Sequence, residues 1–600
     1  MAAVNTSDLN PPYRKAAHPS SPSPPLQPAP PPKHETIILE DGQTMLERDI
    51  AIPMRDGIHL YGDVYRPISP EPTPTLIFFA PFGMSSGLSA PSHFRTPNDS
   101  GAKGKEDERK STAQTNILLG KHGGVPRSLF ANMGVDFASL STHTHWELPD
   151  PLLWCAQWKY SFLLIDPRGT WWSEGDRSHY LSPEEGRDGY DTVEWCAAQP
   201  WCTGAVGWGG GVSYYAMSAY QVAALAPPSL KAIMVWEGIS DIYREVNTQG
   251  GIPNVAFQHF WMNLTGTGLG VAEDHAALTI EHPLFDDLWA SKVVDWSRID
   301  VPALSVTGWS SLGLHLRGTI GAWQALASEK KYLIVHAGKE WREFYEHSNV
   351  QRQKAFWDRF LKDQPTAVDA WPPVTIDVRR ALDDSVTRAE SAFPPKTAAL
   401  TAFHLAPDGQ LTTTTTPSGA ATYASYTAHD PSSSVAFAHA FATRTEITGH
   451  ASLTLFVQAR DYPDTDLFVA LQKLDAAGNE IKFWHSTQKA EASASFGWLR
   501  VSHRELDEGN SAPGRPVHLH RRRLWLRPDD VVEVEVEIWP SSTVWEAGEA
   551  LRVVVQGAPF TERANRTQFK GAGAHCFGEV RVWFGGGYGS RLLVPVVGGG

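Results

Sequence analysis

The sequence predicts a mixed α/β domain followed by an all-β domain. Three observations lead there. Short apolar runs of strand length alternate with helical segments as far as about residue 372, a glycine-rich turn joins a strand to a helix at Ser213, and short alternating strands rich in Thr and Val follow. A chain of 600 residues is long enough for several domains at roughly 100–200 residues each.

The elements run in order as follows. Residues 1–45 read as a tail: Pro22, Pro24, Pro25, Pro28, Pro30, Pro31 and Pro32 crowd a stretch too poor in large apolar residues to build a core. Asp49 to Pro67 alternates apolar and polar residues around Asp56-Gly57, as a β-hairpin does. Thr75 to Ala80 and Tyr160 to Asp166 are continuous apolar runs of the kind buried in a parallel sheet. Between them, residues 86–130 are polar and read as a surface insertion. Glu184 to Gln199 has helical spacing, Ala205 to Trp208 is a weaker strand, Tyr214 to Leu225 an Ala-rich helix, and Leu230 to Trp236 another buried strand. The first part of the α/β domain is thus placed at 46–241. Residues 242–297 interrupt the alternation and read as an inserted cap. Val301 to Thr307, Tyr332 to His336 and a helix at Val350 to Leu361 complete the domain over 298–372. From 373 to 600 the strands at Ala451 to Val457, Asp466 to Leu471, Val531 to Ile538 and Leu551 to Val555 predict a β-sandwich or jelly roll, with Val532, Val534 and Val536 facing opposite to Glu533, Glu535 and Glu537.

Composition excludes several function classes. A net charge of −14 repels phosphate backbones, and the basic run Arg521-Arg522-Arg523 reads as a solvated strand edge, so no nucleic-acid partner is expected. No apolar run reaches the roughly 18 residues of a membrane span, and the first residues lack an apolar signal core. Cys155, Cys196, Cys202 and Cys576 show neither metal-ligand spacing nor a disulfide framework. Together these point to a cytoplasmic protein with no metal or organic cofactor and a small-molecule substrate; a homo-oligomer stays open.

The chemistry lies at Gly209-Gly210-Gly211-Val212-Ser213. A serine on a sharp strand-to-helix turn is a nucleophile elbow, which needs small neighbours because the backbone crowds itself there. The N–H of Tyr214 can then face a developing oxyanion, helped by the helix N-terminus. The usual second glycine, two residues after the serine, is Tyr215 here.

Wider motifs carry a family resemblance. They are Met54-Arg55-Asp56-Gly57, Asp166-Pro167-Arg168-Gly169 with Ser173-Glu174-Gly175, Asp188-Gly189-Tyr190-Asp191, Gln199-Pro200-Trp201, Trp236-Glu237-Gly238, Gly308-Trp309 and, near the end, Gly497-Trp498-Leu499-Arg500 and Gly585-Gly586-Gly587-Tyr588. In these the chain resembles the cocaine esterase-like (CocE/NonD) hydrolases of the X-Pro dipeptidyl-peptidase group. The resemblance implies an α/β-hydrolase core with a small inserted cap, then a jelly-roll β-sandwich, acting on esters or amides through an acyl-enzyme.

Against that pattern the chain departs at two positions. The family's oxyanion tyrosine corresponds to Phe82, in Pro81-Phe82-Gly83, and its catalytic acid to Ser311. Glu237, at the end of the preceding strand, is the substitute acid, with Asp241 slightly further on. A serine needs a base to take its proton. His336 ends the last core strand and is the first candidate; a more distant member's histidine would align nearer Glu340, and His347 and His315 are the other candidates. The expected site is therefore Ser213, His336 and Glu237, with Tyr214 and Phe82 at the oxyanion pocket. The expected function is a serine hydrolase acting on an ester or amide of a small hydrophobic molecule. The alternatives are a non-hydrolytic acyltransferase or cyclase of specialised metabolism, for which Trp171, Trp172, Phe257, Phe260 and Trp261 would supply an aromatic pocket, and a catalytically dead binding protein.

Overall fold

The computed structural model describes residues 34–81, 134–136, 139–145, 147–176, 181–265, 270–414, 420–428, 430–486, 490–560 and 577–598. Phe82, the expected insertion at residues 86–130 and the Phe260 side chain lie outside what is described.

Apolar runs dictate the first sheet. β1 (Glu35–Ile38), β2 (Thr44–Pro53) and β3 (His59–Pro67) form an antiparallel meander. β3 pairs antiparallel with β5 (Ser161–Asp166), which lies parallel to β4 (Thr73–Phe79). Beyond β4 come β6 (Cys202–Val212), β7 (Leu230–Trp236), β10 (Ala303–Gly308), β11 (Lys331–His336) and β12 (Val374–Ala381), each parallel to its neighbour. β4 and β5 are buried at every residue, as strands covered on both faces must be. α1 (Pro183–Ala197) starts where the Ser182 hydroxyl caps the Glu185 N–H; α2 (Tyr214–Ala223) is buried at every position. These two helices share one apolar core with β6 and β7.

Two boundaries differ from the sequence reading. The tail was placed at 1–45, but β1 and the first two residues of β2 fall inside it: the Ile37-Ile38 pair follows the prolines closely and pairs with Leu46 and Met45. β12, beyond the expected boundary at 372, is the last parallel strand of the first sheet, with Val335 opposite Ile376. It continues into the second domain, where Arg379 meets Thr543 of the strand Val532–Trp545. The Arg379 side chain is 2% exposed and donates to the carbonyls of Ser542 and Ala494 and to Thr543 Oγ1.

The cap is helical, with a short hairpin of β8 (Thr248–Gln249) and β9 (Ile252–Pro253) ahead of α3 (Val255–Thr265), α4 (His275–Glu281) and α5 (Asp287–Ala290). It leans on the second domain: Phe285 N–H donates to the His520 carbonyl, and Arg244 to the His518 carbonyl. α6 (Leu316–Ala325) follows β10, and α7 (Glu340–Tyr345) and α8 (His347–Leu361) follow β11. The second domain is all-β. Its two longest strands, Thr445–Ala459 and Val532–Trp545, run antiparallel, and Leu453, Leu455, Val534 and Val536 lie in its core. Glu533, Glu535 and Glu537 face away from that core, as the alternation requires. Among the described residues no helix is long and apolar enough to cross a membrane. Arg521, Arg522 and Arg523 are exposed.

Candidate active site

The C-terminal edge of the parallel strands gathers the polar residues. Ser213 sits at φ 60°, ψ −119°, between the end of β6 and the start of α2. A non-glycine residue holds that conformation only when its surroundings enforce it. Here its N–H donates to the Trp236 carbonyl at 2.9 Å, and its carbonyl accepts from Ala216 and Met217, each at 2.9 Å. Gly209 has φ 87°, and a Cβ there would sit 2.2 Å from the Met234 carbonyl oxygen, so the strand can approach β7 only with glycine. A Cβ on Gly211 would fall 2.7 Å from Tyr215 Cβ. That explains the lost second glycine: Tyr215 packs where Gly211 has no side chain.

Tyr214 is buried, and its hydroxyl donates to Glu185 Oε1 at 2.7 Å. Trp261 of α3 lies 6.4 Å from the Tyr214 ring and stacks on Phe257. The cap therefore brings an aromatic wall to the residue after the nucleophile. Trp171 and Trp172 are both buried.

Glu237 follows β7 at φ 62° and is fully buried. Its Oε2 accepts from the Thr307 hydroxyl at 2.7 Å and its Oε1 from Gly308 N–H at 2.8 Å. Burial outweighs these bonds and raises its carboxyl well above the usual range. His336 lies beside it, Nε2 to Oε1 at 3.8 Å, and burial holds the imidazole below its ordinary range. The two shifts agree in sign: the dry pocket favours a neutral acid and a neutral imidazole. The ring lies against Gly308, where a Cβ would come within 2.8 Å of Cε1.

The structure places Glu237 beside His336. Among the described residues neither is hydrogen-bonded to Ser213; β7 and β10 lie between β6 and β11, whose axes stand roughly 14 Å apart at about 4.8 Å per strand. Ser311 is fully buried and its hydroxyl faces the same carboxyl. Asp241 pairs with Arg244 at 2.5 Å, and His315 is buried with its imidazole held down by desolvation. His347 is the first residue of α8, after α7.

Sequence reasoning passed over two carboxyls as catalytic candidates. Glu147 (φ 62°) is 5% exposed; its carbonyl accepts from Val212 N–H and its Oε1 from Trp341 Nε1 at 2.8 Å. Glu340, the first residue of α7, is 2% exposed. As letters in a sequence both pass for loop or helix-start acids; only burial distinguishes them.

Comparison with known proteins agrees with this architecture. The X-Pro dipeptidyl-peptidase (S15 family) model matches residues 56–278, and the X-Pro dipeptidyl-peptidase C-terminal non-catalytic domain matches residues 366–589. Cocaine esterase of Rhodococcus sp. (strain MB1 Bresler) is 24% identical over 435 residues, 63% of this chain and 65% of that protein. The chain therefore matches just under two thirds of that relative's length. An α-amino acid ester hydrolase structure shares the fold, with a TM-score of 0.67 at 17% identity over 97% of this chain and 100% of that one. A CocE/NonD family hydrolase from Staphylococcus aureus superposes with a TM-score of 0.81 at 33% identity, over 92% of this chain and 94% of that one. With that identity sustained across both domains, the chain belongs to the CocE/NonD family of α/β-hydrolases.

Proposed function

We propose that the protein is a serine hydrolase that cleaves an ester or amide of a small hydrophobic molecule through an acyl-enzyme on Ser213. The elbow carries the reading: the strained Ser213 backbone is held by three hydrogen bonds of 2.9 Å at the head of a buried helix. Ser213 Oγ attacks the carbonyl carbon, and the Tyr214 N–H meets the developing oxyanion. The proton goes to His336, which Glu237 orients; their 3.8 Å approach supports the pairing. The Tyr214–Trp261–Phe257 wall favours a hydrophobic acyl group. The same wall would exclude water, which favours acyl transfer to another acceptor as the second reading. Three free thiols, Cys155, Cys196 and Cys202, support a reducing, cytoplasmic setting.

The test is mass spectrometry of the protein mixed with short-chain p-nitrophenyl esters. The Ser213 peptide should gain the acyl mass, and Ser213→Ala should lose turnover. Undiminished turnover by Ser213→Ala would refute the proposal.

A further inference from the structure

Two thiols meet at the opposite end of β6 from Ser213. Cys196 stands in the last turn of α1, and Cys202 is the first residue of β6. Two successive turns fold the chain between them: Gln199 N–H donates to the Cys196 carbonyl at 3.1 Å, and Cys202 N–H to the Gln199 carbonyl at 3.0 Å. β4 pins the second turn, where Thr73 N–H donates to the Trp201 carbonyl at 2.9 Å. The side chains converge on Thr75 of the same strand. Its hydroxyl donates to Cys202 Sγ at 3.4 Å and also bonds the Cys196 thiol, and that thiol is hydrogen-bonded to Cys202. Both cysteines belong to one apolar core, and no disulfide joins them.

The pair is asymmetric. Cys202 is 8% exposed and Cys196 is fully buried. The bond from Cys196 lowers the Cys202 thiol to about 6 against the effect of burial, with Thr75 and the Gly204 N–H assisting. Burial, then the bond to Cys202, keeps Cys196 a thiol. An exposed edge, three donors and a second thiol in contact are what a peroxide-reactive cysteine requires. Cys155 differs: it is fully buried, and burial pushes its thiol up.

We propose that Cys202 and Cys196 are an oxidation site for hydroperoxides, with Cys202 as the attacking sulfur and Cys196 as the resolving one. The Cys202 thiolate attacks one oxygen of hydrogen peroxide. The S–O bond forms as the O–O bond breaks, and the departing hydroxide leaves as water with the proton that Cys202 had released. Cys202 is then a sulfenic acid. The Cys196 sulfur attacks the Cys202 sulfur; the S–S bond forms, the S–O bond breaks, and the oxygen leaves as water with the Cys196 proton. Two thiols have lost two electrons, and one peroxide has become two waters. The bond ties the end of α1 to the start of β6, the elements that carry Glu185 and lead to Ser213.

The experiment treats the folded full-length protein with hydrogen peroxide, removes the excess with catalase, and alkylates the remaining thiols in denaturant before trypsin digestion. Both cysteines fall on one tryptic peptide, Asp188 to Lys231. The expected result is that this peptide becomes two hydrogens lighter and resists alkylation until reduced, while the Cys155 peptide stays alkylated. In Cys196→Ser the oxidation should stop at the Cys202 sulfenic acid, which a cyclic 1,3-dione captures. In Cys202→Ser, Cys196 should keep its thiol. A wild-type peptide that keeps both alkyl groups, or a disulfide from either cysteine to a different one, overturns the proposal. The wild-type map decides the matter even if a variant does not fold.

Discussion

Gly308→Ala tests the seat of His336 with the smallest available perturbation. Gly308 has no positive φ, so the backbone accepts alanine and only the new methyl acts. That methyl would sit 2.8 Å from His336 Cε1 and 2.9 Å from Ser310 Oγ. Carbon atoms in contact sit at about 3.5 Å or more, so the ring must retreat by roughly 0.7 Å. It has little room, since Trp236 packs on it at 6.1 Å between ring centroids and its residue is only 5% exposed. Overpacking of this kind costs about 1–3 kcal/mol. A catalytic group displaced by nearly 1 Å costs up to about 10²-fold in rate. Urea unfolding and kcat/KM on a p-nitrophenyl ester measure both. Wild-type stability together with wild-type kcat/KM would refute the argument that Gly308 seats the imidazole.

Three further outcomes follow from buried groups. Arg379→Met should destabilise by about 2–4 kcal/mol in urea unfolding, because two backbone carbonyls and a hydroxyl at the domain junction lose their donor; no change would show that the junction re-forms without it. Tyr214→Phe should cost about 1–2 kcal/mol, leaving Glu185 without its 2.7 Å donor, again read by urea unfolding. His518, where the cap meets the second domain, is held down to about 4 by burial. Its unfolded form binds a proton below about 6.5 that its folded form refuses until about pH 4. The unfolded state therefore binds more protons in that window, and stability contributed by this group falls as pH drops through it, by about 1.4 kcal/mol per pH unit. His518→Gln should flatten the pH dependence of the urea midpoint between pH 6.5 and 4, and an unchanged slope would contradict the assignment.

Much of this was legible before any coordinates. The glycines before Ser213 announce the elbow because only a bare Cα can pass the Met234 carbonyl, and strands buried on both faces must be continuous apolar runs. The edges were harder. β1 is four residues long and only its last two, Ile37 and Ile38, are apolar, too short a run to announce a strand without its pairing to β2. β12 carries Thr, Asp and Arg at alternate positions like the strands after it, and its membership of the first sheet depends on register with β11. At the candidate site, Ser213, Glu237 and His336 could be singled out because each ends or directly follows a strand that sequence could identify. Glu147 and Glu340 lie off the strands, in a loop and at a helix start. A glutamate's letter does not say whether it is solvated, and the burial that sets their chemistry comes from chain segments far apart in sequence.

The central claim is that Ser213 is an activated nucleophile. Labelling of the intact protein by a fluorophosphonate probe, followed by peptide mapping, tests it directly. The account predicts adduct on Ser213 in wild type and none in a folded Ser213→Ala variant. A folded wild-type protein that stays unlabelled, or carries its adduct on another residue, would contradict it.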